Sequence, residues 1–431
     1  MRRRVYIPLL LALPALLAAT RPADIAFRIT QIDPGYNETV ALADINHDGK
    51  LDIISGENWY EAPHWTKHHI REINYFSGYI DNFSDLPLDI DNDGYPDIIQ
   101  CSYAAHKIIW LKNPGPDAAT TNKPWTENVI DDAGPTEFAF LVDLNNDGKA
   151  QEILPEYDRA NVPLSWYELV SGKWIKHTVA DHSFGHGIGV GDVNGDGRND
   201  ILTPQGWLEA PADPRAPGNW TFHPTGWDEH YIGPAGHHEP EPVSPLQPAQ
   251  AHLAQPHHSA FGRIYLLDLN GDGRPDILTT MAHDYGILWF ENLGATNPAT
   301  HEPQWAMHVI DNTWSQSHAA ILADLNGDGH PDLITGKRYF AHNGNDPGER
   351  EPIGLYWYEW RPTPRTPASA TDPGNGGLEW IRHIVTYGDR MGGGMQIVAA
   401  DLNGDGQIDL VSGGKAGLYI AENLTKPAPK Q

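Results

Sequence analysis

Seven times along the chain an apolar stretch gives way to a nine-residue polar loop, and the loop to a second apolar stretch. The loop reads D-x-[ND]-x-D-G-x-x-D. It begins at Asp44, Asp89, Asp143, Asp192, Asp268, Asp324 and Asp401, at spacings of 45 to 77 residues, which marks an internal repeat. The stretches that follow, such as Asp52-Ile-Ile-Ser, Asp276-Ile-Leu-Thr and Asp409-Leu-Val-Ser, are β-branched or leucine-rich, as strands are and EF-hand helices are not. Each unit continues with an aromatic strand: Trp59-Tyr60-Glu61, Trp110-Leu111-Lys112, Trp166-Tyr167-Glu168, Trp207-Leu208-Glu209, Trp289-Phe290-Glu291, Trp357-Tyr358-Glu359 and the weaker Ile420-Ala421-Glu422. A fourth segment carries Trp-x-x-His, at Trp65/His68, Trp174/His177, Trp220/His223, Trp305/His308 and Trp380/His383, with Asn128 replacing His after Trp125. The chain ends without a seventh copy, and Phe27 to Asp33 near the N-terminus fits the missing frame.

Four strands per unit and seven units predict an all-β fold, a seven-bladed β-propeller of four-stranded blades whose ring is closed by the N-terminal strand. An open solenoid is the alternative, and it gives the N-terminal fragment no reason to complete the last unit. If the first strand of an antiparallel blade runs down to its Asp loop, every Asp loop lies on the bottom face. The loops between second and third strands, and those between one unit and the next, then lie on top. One domain over 24–425 follows, with a Pro- and His-rich insertion at 223–262 folding over the top face. The chain opens with basic Arg2 to Arg4, an apolar Val5 to Leu17 and small Ala18-Ala19-Thr20, the pattern of a secretory signal over 1–20. No later segment has the ~20 apolar residues of a membrane helix. The expectation is an exported protein, secreted or periplasmic, with no membrane span.

Composition narrows the function classes. With 43 Gly and 36 Pro among 431 residues, turn density is too high for long helices. A formal charge of −28 excludes nucleic-acid binding through a basic face. Cys101 is the sole cysteine, which excludes an intramolecular disulfide and a CxxC zinc site, and it is expected as a buried thiol.

The Asp loops have the chemistry of calcium sites. Hard cations take six to eight oxygens, and positions 1, 3, 5 and 9 supply them here, with a glycine at position 6 for the sharp turn. The candidate ligands are Asp44, Asn46, Asp48 and Asp52 in the first loop, Asp89, Asp91, Asp93 and Asp97 in the second, and Asp143, Asn145 and Asp147 in the third. Asp192, Asn194, Asp196 and Asp200 follow in the fourth, Asp268, Asn270, Asp272 and Asp276 in the fifth, Asp324, Asn326, Asp328 and Asp332 in the sixth, and Asp401, Asn403, Asp405 and Asp409 in the seventh. The third loop departs from the pattern, with Gln151 in place of the final Asp and Glu152 beside it. These positions hold 21 of the 57 acids, which repel one another unless cations intervene. Up to seven structural calcium ions would halve the formal charge; metal-free Asx-turns are the alternative. These loops resemble the FG-GAP or VCBS repeats of extracellular seven-bladed propellers over nearly the whole mature chain.

Histidines sort by face. Five of the 22 occupy the Trp-x-x-His frame and read as structural. Twelve fall in top loops or at the upper ends of inner strands: His106, His182, His186, His230, His237, His238, His252, His257, His258, His283, His318 and His342. Glu57, Glu137, Tyr103, Glu156, Gln205, Lys337-Arg338-Tyr339 and Lys415 join them. Such a pocket suits acid–base work, and zinc is a candidate ion for its histidines. Trp207, Trp227 and Trp314 could stack on sugar rings.

A second resemblance covers mainly units four to six. His186-Gly-Ile-Gly-Val-Gly-Asp192, Ala282-His283-Asp284-Tyr285-Gly286, Trp314-Ser-Gln316-Ser-His318 and Gly336-Lys337-Arg338-Tyr339-Phe-Ala-His342-Asn343-Gly-Asn-Asp346 look like the propeller domain of the aldos-2-ulose dehydratase family. That resemblance implies elimination of water from keto-sugars and bound metal. Its fungal member adds cupin-like domains that this sequence does not carry after its propeller. The expected reaction is β-elimination on a keto-sugar or oxidised glycoside, by a carbon–oxygen lyase. His318 or His258 would serve as base, Lys337 and Arg338 or a histidine-bound zinc would steady the enolate, and His283 and Tyr339 would be acids, with His186 beside them. Glu57, His106, Trp314, Gln316, His342 and Lys415 would contact the sugar. A non-catalytic propeller binding a glycan or a protein is the competing class.

Overall fold

A computed structural model describes residues 24–132, 134–157, 159–227, 260–296, 303–368, 373–388 and 391–425. The fold is an all-β propeller with four-stranded blades. In the first blade Ala41–Ala43, Asp52–Ser55, Asn58–Glu61 and Thr66–His69 pair in chain order, with the Asp loop between the first two. The second strand of every unit is buried along its whole length, from Asp52–Ser55 to Asp409–Ser412. That is why these strands read as unbroken apolar runs: neighbouring sheets cover both of their faces. Leu154 and Trp166 of one sheet pack against Ile201 and Leu208 of the next, for example.

Seven separate blades were expected, and five four-stranded sheets stand alone. The fourth and fifth units are fused into one eight-stranded sheet. The seam is a parallel pair between Ile188–Gly191 and Arg263–Leu267, with Ile188 opposite Arg263 and Gly189 opposite Ile264. The cause is the alternation in Gly187-Ile-Gly189-Val-Gly191. A Cβ on Gly187, Gly189 or Gly191 would stand 2.7, 2.1 or 2.8 Å from atoms of Phe261, Ile264 and Leu266. Without side chains on that edge, two inner strands come within hydrogen-bonding distance.

The N-terminal strand Phe27–Asp33 lies antiparallel on Leu418–Asn423, from Phe27 opposite Asn423 to Asp33 opposite Leu418, as the outer strand of the last sheet. Asp33 also accepts hydrogen bonds from Tyr60 Oη at 2.8 Å and Lys67 Nζ at 2.6 Å, which ties this strand to the first sheet. The first inner strand, Ala41–Ala43, is in contact with the last, Ile397–Ala400.

Five framed histidines are scaffold. His68, His177, His223, His308 and His383 stack on Trp59, Trp166, Trp207, Trp289 and Trp357 at ring separations of 4.5, 4.2, 4.1, 4.3 and 3.8 Å. Each also meets the glutamate two residues beyond that tryptophan, as His308 Nε2 meets Glu291 at 3.0 Å. In four units this glutamate accepts from the loop asparagine at position 3.

The Asp loops close on their own amides. In the first, Asp44 accepts from Asp48 N and Gly49 N, and Asp48 accepts from Lys50 N. The position-9 acid is buried and holds two more amides, Ile45 N and Ala62 N on Asp52. In the third loop Glu152 takes this role one residue late, accepting from Leu144 N at 3.1 Å; its longer side chain makes up for Gln151. Among the described residues, the Asp loop that brings three acid oxygens within 4.8 Å of one another is the second, through Asp89, Asp91 and Asp97. Lys50, Lys112, Arg198 and Arg274 pair with acids of their loops. Cys101 is buried, as expected.

Candidate functional site

The residue six places before each Asp loop begins an inner strand at the top of the axis. Glu38, Glu137, His186 and His318 hold this place in units one, three, four and six, and all four are buried. Glu137, His186, His318 and the top-loop His283 offer ligand atoms that lie within 4.8 Å of one another. His186 Nε2 stands 3.5 Å from Glu137 Oε2, and His318 Nε2 stands 3.9 Å from Glu137 Oε1.

Outer contacts fix the imidazoles. Nδ1 of His186 donates to the Phe261 carbonyl at 2.6 Å, so Nε2 is the atom turned to the cluster. Asp346 receives Nδ1 of His283 on one oxygen and Nδ1 of His342 on the other, each at 2.9 Å, and the two rings stack at 4.3 Å. A ligand imidazole with its second nitrogen on a carbonyl or carboxylate is the usual arrangement around metals. Both nitrogens of His318 are buried without a hydrogen-bond partner, as are both amide atoms of Gln316, Nη2 of Arg338 and Oε1 of Glu38. Buried polar atoms are nearly always satisfied in folded proteins. An N3O donor set with orphaned His318 fits zinc or a neighbouring first-row ion.

Charge in the cluster is held in place by Arg338, which is fully buried with Nε 3.2 Å from Glu38 and Nη1 3.4 Å from Glu137. Burial works against ionised Glu137, but His186, His283 and Arg338 hold it well below the usual carboxylate range. Burial, then Arg338 and the other imidazoles, keeps His318 neutral, and burial brings His283 down to about 4. His342 goes the other way: Asp346 outweighs burial and raises it.

The remaining expected residues are less concentrated. Lys337 is buried beside the cluster-bearing turn, its Nζ donating to Ser315 Oγ and the Gly348 carbonyl at 2.8 and 2.6 Å, and burial lowers it to about 8. Lys415 lies 3.7 Å above the Tyr79 ring and donates to the Phe340 carbonyl, also lowered to about 8 by burial. Tyr339 points away and is 39% exposed, so it does not join the cluster. Trp314 is core: its indole donates to Tyr358 Oη at 2.8 Å among Trp289 and Leu333. Trp207 and Trp227 are likewise buried in packing, so none of the three offers a face to a sugar. Glu57 accepts the Ile73 amide, and His106 is exposed on a loop whose amides cap Asp81. His258 and most of the 223–262 insertion lie outside the described residues; His223 and Pro224 belong to the strand Thr221–Pro224 rather than to it.

Sequence reasoning put Glu137 among the polar groups of the top-face pocket without a role of its own, and it missed Glu38 and Asp346. The count of six before the Asp loop would have found Glu38; Asp346 has the weaker signal of an acid four residues after His342 in a glycine-rich loop. The hairpin of Tyr75–Phe76 and Tyr79–Ile80 was also unforeseen. Its Tyr79 hydroxyl accepts the His342 amide, and its Ser77 carbonyl accepts Asn343 Nδ2 at 2.6 Å, so it reaches across the top face to the sixth unit.

A family profile described as an FG-GAP-like repeat matches residues 268–335, the fifth and sixth Asp loops. No curated protein matches the sequence. Among solved structures, BBS1N in complex with ARL6DN is similar over 94% of this chain and 98% of its own, at 10% identity and a TM-score of 0.45. The V. cholerae biofilm matrix protein Bap1 covers 93% and is itself covered over 92%, at 11% identity and a TM-score of 0.40. An auxiliary nutrient binding protein from Bacteroides thetaiotaomicron shows 8% identity over 90% of this chain and 69% of its own, with a TM-score of 0.37.

Proposed function

We propose that the chain is an exported seven-unit propeller, closed by its N-terminal strand and stiffened by calcium in its Asp loops, whose top-face cluster holds a transition-metal ion for β-elimination on a keto-sugar. The observation that carries this reading is the convergence of His186, His283 and Glu137 on buried His318, whose two ring nitrogens have no hydrogen-bond partner. Glu137, His186, His283 and His318 would hold the ion, and when bound it would polarise a substrate carbonyl as a Lewis acid. His186, His283 and Arg338 together keep Glu137 ionised against its burial. Asp346 orients His283 as a ligand and positions His342, stacked on it, to take the proton beside the carbonyl and return it to the departing hydroxyl, which leaves as water. Gln316, with both amide atoms unspent, is suited to read a carbonyl–hydroxyl pair. The burial of His318 and Glu137 favours a second reading, a structural ion in a propeller that binds a glycan without changing it.

Metal analysis of the purified protein, with a keto-sugar panel followed by mass spectrometry for loss of water, tests both. Wild type should carry about one transition-metal ion in the cluster, and His318→Ala and Glu137→Gln should lose it together with a factor of about 10²–10⁴ in turnover. His308→Ala should keep the ion and lower stability instead. Metal without turnover on any keto-sugar leaves the binding reading; wild type without the ion refutes the metal centre.

A further inference from the structure

A cavity of about 250 Å³ lies between the inner strands of units three, four and five. Phe140, Val190, Ile264 and Tyr265 line it, and it runs down to Asp143 and Asn199 at the Asp-loop end. Its wall carries one cation, Arg263, and one acid, Asp143. Arg263 places its guanidinium 4.3 Å from the ring centre of Phe140 and 5.0 Å from that of Tyr265. No acid of the described residues pairs with it, in a chain with 57 acids. Asp143 lines the far end, but its oxygens accept Asp147 N at 3.1 Å and Gly148 N at 2.9 Å within its own loop. Tyr265 spends its hydroxyl on the Ala320 carbonyl at 2.7 Å, so it faces the cavity as a ring.

We propose that this cavity is an oxyanion site, separate from the histidine cluster, which takes the carboxylate of a small, ring-sized acid such as a uronate. A guanidinium set against aromatic rings presents its N–H edges in its own plane, where a carboxylate accepts two of them side by side. The flanking rings of Phe140 and Tyr265 supply apolar contact for the carbon skeleton. An arginine without an acid partner in the wall of this cavity otherwise has no counter-charge in an acidic protein. The Gly187-Ile-Gly189 edge that fuses units four and five also sets Arg263 at the cavity wall, because Arg263 stands opposite Ile188 in the parallel pair. The site does not depend on the metal reading.

Isothermal titration of the full mature protein with glucuronate, with glucose and with inorganic phosphate tests it. Glucuronate should bind saturably and glucose should not. Arg263→Gln should weaken glucuronate about 10- to 100-fold, the loss of charge-assisted hydrogen bonds. Val190→Phe, which fills the cavity and leaves the charge, should also abolish binding, so a folding defect in one variant does not decide the matter. Phosphate binding as tightly as glucuronate would refute the ring-sized acid. Absence of saturable glucuronate binding in wild type, or affinity unchanged in folded Arg263→Gln, would overturn the site.

Discussion

Gly189→Ala puts the fusion of units four and five, and with it the setting of His186, to a direct test. A Cβ there would stand 2.1 Å from the Ile264 carbonyl oxygen and 2.9 Å from Ile264 Cβ. That is about 1.3 Å short of ordinary van der Waals contact, and the obstacle is backbone, which cannot rotate away. The two strands must part. Two paired residues lose their hydrogen bonds, at about 1 kcal/mol each, and residual overpacking adds about 1–3 kcal/mol. The expected loss is about 3–5 kcal/mol, a large share of the ~5–15 kcal/mol that holds a domain. Gly195→Ala is the control: φ is +76° with no atom within 4 Å, so it costs only the left-handed strain of about 1 kcal/mol. Urea melts followed by mass spectrometry of amide exchange would report the total and its location. Exchange should rise at 188–189 and 263–264, and His186 should lose its 2.6 Å bond to Phe261 O. A Gly189→Ala protein that melts with wild type, or a Gly195→Ala protein that is hurt more, would refute the account of the seam.

The metal-free protein should lose stability as pH rises from about 4 to about 7. Burial raises Asp52, Glu152 and Asp332 to about 7 and Asp97, Asp200, Asp276 and Asp409 to about 6, so the folded chain holds protons that the unfolded chain has released. Buried neutral His283, at about 4, opposes this below its ordinary 6.5 and flattens the slope there. Saturating calcium should reverse the trend; a chelated protein more stable at about pH 7.5 than at about pH 5 would contradict the argument. Deleting residues 24–34 strips the Leu418–Asn423 edge of its partner and removes the Asp33 bonds to Tyr60 and Lys67. Light scattering should show aggregation and the melting temperature should fall; a truncation that melts like the parent would refute the role given to the strand.

The strands were legible because each unit repeats its own punctuation: an acid loop, an unbroken apolar run, a tryptophan and a histidine at fixed places. The partnership of Phe27–Asp33 with the last sheet was legible from an absence, the missing fourth segment after Glu422. Fusion of two units was not, although its cause stood in the open as alternate glycines; glycines signal close approach without saying to what. In the site, the face argument brought His186, His283, His318 and His342 together correctly, because strand direction decides which loops share an end. It could not tell Trp314 from a sugar platform or Tyr339 from its neighbours Lys337 and Arg338. Face is set by topology, whereas inward or outward is set by the local turn, and Phe340 and His342 take left-handed backbone angles that no periodicity announces.

The bond between Phe27 and Asn423 also sets an order of events on the ribosome. The first strand leaves the exit tunnel roughly 400 residues before its partner exists, which at about 5–20 residues per second is a wait of some tens of seconds. Through that time it is a strand without a sheet, and the sheet it completes cannot form until Leu418–Asn423 has been synthesised. Any product cut short before Leu418 therefore carries a permanently unpaired N-terminal strand, open to proteases and to edge-to-edge pairing. The geometry makes completion of synthesis a condition for the last sheet, so an interrupted chain marks itself as incomplete.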